Sequence, residues 1–319
     1  MYERVLLAND GSDFSAAAVP HAAALARAVG SDVLVVRVSR GAGEALDALT
    51  PTAWTRQIER GDAEVPGEER AEAYPPLSQT VAALYEAGVE RAGSIVVRGD
   101  PGEAIVEAAS RFACSAIVIS SRGLSGLRRA VLGSVADHVV RHSPGIPVLL
   151  CPPPSEVGRG EYRRLLVALD GSEVSDSLLP HAREIALASG ATMVLVRVID
   201  SAFRIVTMTT PAGYPLTPGL TQEAADEIVQ AQRSTADEHL DGVVSALRGE
   251  GVGTVTARVV EGEPGDAIVA LAEELDSDLV LMATHGRGGL GRALVGSVTD
   301  YVARHLATAP ALIVPPERG

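Results

Sequence analysis

The chain has 319 residues, 46% hydrophobic but only 3% aromatic, and carries a net charge of −14. That length suits two ordinary domains, and the acidic balance argues against nucleic acid as a partner, whose phosphates want a basic face. All 27 basic residues are Arg, which excludes a Walker-type phosphate loop, a kinase strand lysine and Schiff-base chemistry at once.

No apolar run approaches the ~20 residues of a membrane helix, so no membrane partner is expected. Met1-Tyr2-Glu3-Arg4 leads straight into a strand, so no signal peptide is expected either. Cys114 and Cys151 stand at non-equivalent places. A disulfide is therefore not expected, and a reducing compartment fits best. With few aromatics the cores must be Ala, Val, Leu and Ile, which suits helices packed on a parallel sheet.

In chain order, residues 4–9 read as a buried strand, followed by Asp10-Gly11-Ser12 and a helical pattern closed by Gly30. Residues 32–38 read as a second strand. Residues 39–76 are irregular, with a short helix expected over 42–49 and a mobile stretch over 61–76. A helix is expected over 77–91 and a strand over 94–98. Then come the turn Gly99-Asp100-Pro101-Gly102, a helix to Phe112, and a strand over 116–120 that feeds a glycine-bearing loop. The pattern predicts a helix over 134–142 and a last strand over 146–151, stopped by prolines.

The order then repeats. Residues 153–161 read as a linker between a first domain, 1–152, and a second, 162–319. Asp170-Gly171-Ser172 matches Asp10-Gly11-Ser12, Arg197-Val198 matches Arg37-Val38, and Gly262-Glu263-Pro264-Gly265 matches the Gly99 turn. Residues 122–142 and 285–305 align without a gap, with 12 of 21 positions identical, and an internal repeat of this size governs the whole reading. The halves differ most over 39–93 and 199–253, where the second carries a longer helix, expected over 221–247. The alternation of strand and helix predicts an α/β fold of two similar doubly wound domains. Each would be a five-stranded, mostly parallel sheet with helices on both faces.

In such sheets ligands bind outside the carboxyl ends of the strands, where strand order reverses. Two loops lie there in each half, Asp-Gly-Ser after strand one and the glycine loop after strand four. If both serve one ligand, strands one and four are neighbours. The loops hold Gly123, Gly126, Arg129, Gly133 and Ser134 in the first half, and Gly286, Gly289, Arg292, Gly296 and Ser297 in the second. A strand, a glycine loop and a helix start together make a phosphate cradle, because unpaired N–H groups and the helix dipole favour an anion. A side chain at Gly133 or Gly296 would fill the space a phosphate needs, and a positive φ there would disfavour a bulky one further.

Asp10 and Asp170 can contact a ligand hydroxyl or a magnesium ion, or can simply close an Asx-turn. Ser134 and Ser297 can be N-caps or can face a phosphate. Arg129 and Arg292 can neutralise phosphate charge or sit in solvent. His142 and His305 suit helix C-termini, and His21 and His181 read as packing or surface residues. No nucleophile elbow or acid/base pair is visible, so catalysis is not expected.

These residues carry a resemblance. Both halves resemble the universal stress protein family, and the chain looks like a tandem member of its ATP-binding branch. Gly123, nine residues, then Gly133-Ser134 match the latter part of that branch's signature, as do Gly286, nine residues, then Gly296-Ser297. The leading Gly of the signature is Ser120 in one half and Ala283 in the other. The resemblance also covers Asp10 and Asp170, Val38 and Val198 (whose backbone would meet adenine), and the turns at Gly99 and Gly262.

It implies a Rossmann-like sheet of the adenine-nucleotide alpha hydrolase type, with ATP, AMP or ADP and its magnesium at the switch point of each half. It also implies stress-linked regulation in the cytoplasm and an intramolecular pseudo-dimer, with a homodimer as a further option. A slow magnesium-dependent ATPase and a scaffold that binds no nucleotide stand as alternatives. Edge protection points to the same pairing: Pro147–Cys151 and Pro310–Val314 are apolar terminal strands, expected side by side.

Overall fold

The computed structural model describes residues 1–39, 75–122, 132–143, 145–153, 160–209, 222–284 and 295–316. The first half runs β1 (Arg4–Ala8), α1 (Asp13–Ala16), α2 (Val19–Val29), β2 (Asp32–Ser39), α3 (Pro75–Glu86), β3 (Ala92–Arg98), α4 (Pro101–Arg111), β4 (Ala116–Ser120), α5 (Ser134–His142) and β5 (Val148–Cys151). The second runs β6 (Arg164–Ala168), α6 (Glu173–Asp176), α7 (Leu179–Ser189), β7 (Thr192–Ile199), α8 (Ala202–Thr209), α9 (Gln222–Gly249), β8 (Val255–Glu261), α10 (Pro264–Glu274), β9 (Leu279–Ala283), α11 (Ser297–His305) and β10 (Ala311–Val314).

All ten strands form one sheet, in the order β3-β2-β1-β4-β5-β10-β9-β6-β7-β8. Every pairing within a half is parallel. The strands are apolar on both faces, as a parallel sheet covered twice requires. On one face lie α2, α3, α7 and α9, packed through residues such as Leu25, Leu84, Ile185 and Leu240. On the other lie α4, α5, α10 and α11, packed through Ile105, Val139, Ile268 and Val302. Each Leu, Ile or Val buried this way contributes about 1.5–3 kcal/mol of transfer free energy.

The halves join where β5 and β10 pair antiparallel, Leu150 against Ala311, Leu149 against Leu312 and Val148 against Ile313. Both apolar clusters draw residues from both halves, so the junction is interior. The Tyr2 hydroxyl lies 2.8 Å from His181 Nδ1, and the Tyr162 hydroxyl donates to the His21 carbonyl at 3.4 Å. These two histidines are therefore packing residues of the junction. On the other face Arg141 forks onto Asp137 and reaches Asp300 of the other half at 3.6 Å. Arg304 likewise grips Asp300 and holds that carboxyl below its ordinary range.

Several boundaries differ from the sequence reading for local reasons. The helix expected over 77–91 stops at Glu86, because Gly88 turns to φ 85° and its N–H bonds back to Tyr85. The first helix is broken in two, and α2 restarts with Pro20, whose missing N–H suits a first turn. Gly30 closes α2 in the left-handed conformation, as Gly190 closes α7. Helix α8 lies in the divergent segment of the second half and was not anticipated. The helix expected over 42–49, the stretch 61–74 and most of the linker lie outside the described residues.

Candidate functional site

Strands β1 and β4 are neighbours, Val5 beside Ala116 and Leu7 beside Val118, and β6 and β9 repeat the arrangement. The chain leaves β1 towards β2 and β3, then returns to place β4 on β1's other side. The switch point is therefore between β1 and β4, and between β6 and β9. Along each carboxyl edge the third-strand turn, the end of the second strand, the Asp loop and the glycine-capped helix follow one another.

Gly99 and Gly262 sit at φ 136° and 150°, a region that disfavours any side chain. Their N–H groups donate to Ser39 and Ile199 at 3.4 and 3.0 Å, which fastens each turn next to Val38 or Val198. The next strand over is tied in the same way, since Asn9 N–H donates to the Val36 carbonyl and Leu169 N–H to that of Val196, both at 2.9 Å.

Asp10 Oδ1 accepts from Ser12 N–H at 3.0 Å and from the Ser12 hydroxyl at 2.6 Å. Asp170 does the same with Ser172, at 2.9 and 2.6 Å. Ser12 and Ser172 in turn accept from Ser15 and Ser175 N–H and cap α1 and α6. So each Asp closes an Asx-turn, with Gly11 and Gly171 at φ 80° and 79° completing it. The turn fixes where each carboxylate sits, which a ligand contact would also require.

The cradle helices correct one expectation. Ser134 and Ser297 are not N-caps. The caps are Gly133 and Gly296, and neither helix receives a side-chain cap bond. Each Ser is the exposed first helical residue. Gly133 N–H donates back to Ser121 at 2.8 Å and Gly296 N–H to Thr284 at 2.7 Å. Among the described residues no side chain caps the first-turn amides of α5 and α11, which lie at the positive end of the helix dipole. A second correction concerns backbone shape. Gly133 and Gly296 have φ −63° and −59°, so no left-handed conformation demands glycine there. What glycine provides is an absent side chain. Gly123, Gly126, Arg129, Gly286, Gly289 and Arg292 lie outside the described residues.

Other features were missed. Ser120, in place of the signature's leading Gly, donates its hydroxyl to the Arg122 carbonyl at 2.5 Å. In the second half Thr299 donates to the Ala283 carbonyl at 2.8 Å instead. His138 and His142, four residues apart on α5, stack with ring centroids 4.1 Å apart, and Tyr301 and His305 stack at 3.9 Å on α11. His142 and His305 each turn Nδ1 to the carbonyl four residues back, at 2.9 and 2.8 Å, so both are structural. Among the described residues no group of three or more His, Cys, Asp or Glu is arranged to hold a metal ion. No helix among them is long and apolar enough to cross a membrane.

Known proteins share the family and the fold. The model of the universal stress protein family matches residues 1–152 and again 161–315. A universal stress protein of Bacillus subtilis is 33% identical over 150 residues, 47% of this chain and 99% of that protein. One from Methanocaldococcus jannaschii is 30% identical over 157 residues, 49% of this chain and 84% of that protein. Among solved structures, a universal stress protein from Archaeoglobus fulgidus aligns over 99% of this chain and 98% of its own, with TM-score 0.64 at 23% identity, a likeness of fold. With the family's model matched twice along its length, the chain belongs to the universal stress protein family, as a tandem of two such domains.

Proposed function

We propose that this chain is a regulatory protein that holds an adenine nucleotide, ATP or its AMP or ADP relatives, in each half. The observation that carries the reading is the glycine-capped start of α5 and of α11, without a side-chain cap, beside the Asp loop at the switch point. In a chain without lysine, phosphates must be held by backbone N–H groups, hydroxyls and Arg. A helix start supplies aligned donors, with the Ser134 or Ser297 hydroxyl beside them. Adenine would lie against the backbone at Val38 or Val198, and the Gly99 or Gly262 turn would close the edge.

The residues fit a nucleotide-borne magnesium better than a resident one. Mg²⁺ accepts one or two carboxylates with phosphate oxygens and water, and each half offers Asp10 or Asp170 at the right edge. When bound, the ion would neutralise phosphate charge. The chain's own contribution is to hold that carboxylate in its Asx-turn.

Efficient turnover is not part of this reading. Phosphoryl transfer needs the developing charge stabilised, usually by Lys, Arg and metal together, and this sequence has no lysine. The same reading takes 1–152 and 162–319 as the two domains, 153–161 as their linker, and the cytoplasm as the site of action. Mass spectrometry of gently purified protein tests it, with co-purified adenine nucleotide at up to two equivalents expected. Calorimetry that finds no binding of ATP, ADP or AMP with magnesium would refute it.

A further inference from the structure

We infer that Arg197 is the positioning residue of the Asp170–Ser172 loop, and that the first half relies on Asn9 for the same task; this rests on the reading of that loop as a nucleotide contact. Arg197 belongs to the repeated Arg-Val pair at the end of the second strand, and only its neighbour Val198 has so far been given work. It is 5% exposed, an uncommon state for a guanidinium. Its side chain leaves β7 on the same face as Met193 and Leu195, at the strand's carboxyl end.

Its place is set by Gly171. A Cβ on Gly171 would lie 2.6 Å from Arg197 Nη1, 2.7 Å from Cζ and 3.0 Å from Nη2. The guanidinium therefore fills the space beneath the loop, against the residue that follows Asp170. A flexible arginine could swing away from such a contact if it had solvent to enter, but this one is buried. Gly171 also sits at φ 79°, so loop and guanidinium are fitted to each other.

The first half solves the same problem differently. Asn9, 4% exposed, accepts from Gly11 N–H at 2.7 Å and donates to the Thr80 hydroxyl on α3 at 2.8 Å. The equivalent residue in the second half is Leu169, which offers neither group. Arg37, the counterpart of Arg197, is only half-buried. Beyond the Asx bonds common to both, the Asp10 loop is tied to α3 through Asn9, and the Asp170 loop is propped by a buried cation. Arg197 faces the loop residue that follows Asp170, so it acts through the loop.

The test uses the full chain carrying Gly133→Val, so that only the second half is read, titrated with magnesium and ATP by calorimetry. Arg197→Met, which keeps the aliphatic stem and removes the guanidinium that faces Gly171, is expected to weaken binding about tenfold or more, with Arg197→Lys between it and the parent. Asp170→Asn is expected to lose a similar factor, and Asp170→Asn with Arg197→Met no more than the larger single loss, because both act on one contact. In the Gly296→Val chain, Arg37→Met should cost less than threefold.

A second measurement needs no ligand. The stability lost on Gly171→Ala should be smaller in the Arg197→Met chain, where the guanidinium is gone and only the φ penalty remains. Binding equal to the parent in Arg197→Met, multiplying losses in the double variant, or an unchanged Gly171→Ala penalty each overturns the inference alone. A parent chain and wild type that bind no nucleotide overturn the proposed function, and this inference with it.

Discussion

Leu149 and Leu312 hold the same place in the two halves and are paired with each other across β5 and β10. An antiparallel pair of equivalent residues is what a local twofold axis produces, and the Tyr2–His181 and Tyr162–His21 contacts repeat the exchange on one face. Both leucines are fully buried. Either Leu149→Ala or Leu312→Ala should therefore cost about 2–5 kcal/mol, the range for a truncated core leucine. The double variant should depart from additivity, because the two side chains share one site. Urea titration by circular dichroism reads both. One transition for the whole chain is expected, since each apolar cluster spans the halves, and two separate transitions would show that the junction is weaker than its burial implies.

The helix pairs α4–α5 and α10–α11 approach closely over a glycine in each half. A Cβ at Gly102 would lie 2.6 Å from the His138 ring, and one at Gly265 would lie 2.5 Å from the Tyr301 ring. Neither glycine needs an unusual φ, so the cost of substitution is steric. Gly102→Ala and Gly265→Ala are each expected to destabilise by about 1–3 kcal/mol through overpacking. His138→Ala should relieve most of the loss at Gly102 and none at Gly265. Thermal melts of the three single variants and of the two doubles that combine His138→Ala with each glycine substitution decide it.

His21 gives the fold a pH dependence. Burial lowers its pKa from 6.5 to about 4. Between those values the unfolded chain binds the proton and the folded chain does not. Stability is thus full above about pH 6.5 and falls as the pH is lowered towards 4. Between pH 7 and pH 5 the loss from this residue is about 2 kcal/mol. His21→Gln, which keeps the backbone carbonyl that Tyr162 uses, should show a correspondingly smaller acid loss in paired urea titrations. Equal losses in the two chains would assign the acid sensitivity elsewhere.

Much of this was legible because the signals were local and duplicated. Asp10-Gly11-Ser12 and Asp170-Gly171-Ser172 announce a strand end and a turn, and the structure closes both by the same Asx geometry. The apolar runs of β5 and β10, each ending in Pro, announced strands in need of a partner. What escaped depends on contacts distant in sequence. That Gly133 and not Ser134 caps α5 depends on Ser121, twelve residues back, accepting the Gly133 N–H. Burial of Arg197 against Gly171 joins residues 26 apart, and no spacing rule links them. Helix α8 stands where the repeat offset would carry the short helix expected over 42–49, but the two segments share too little sequence for the repeat to announce it.

The cradle reading makes the sharpest functional prediction. Gly133 and Gly296 cap their helices with φ near −60° and extended ψ, a conformation open to any L-residue. Gly133→Val and Gly296→Val should therefore fold. Each places a branched side chain beside the first-turn amides, where a phosphate would need to approach. Gly296→Val should abolish binding in the second half and leave the first intact, Gly133→Val should do the converse, and the double variant should bind nothing while keeping its secondary structure. Calorimetric titration with magnesium and ATP separates the cases by stoichiometry. Wild-type stoichiometry in the double variant would mean the cradle is misplaced. A single equivalent in the wild type would mean that one half has lost its site, and the halves differ in where such a loss would fall. The first-half loop Gly-Leu-Ser-Gly-Leu-Arg-Arg carries fewer glycines than Gly-Arg-Gly-Gly-Leu-Gly-Arg in the second. It therefore offers fewer points where backbone can approach an anion closely, so Gly296→Val rather than Gly133→Val should then remove the remaining binding.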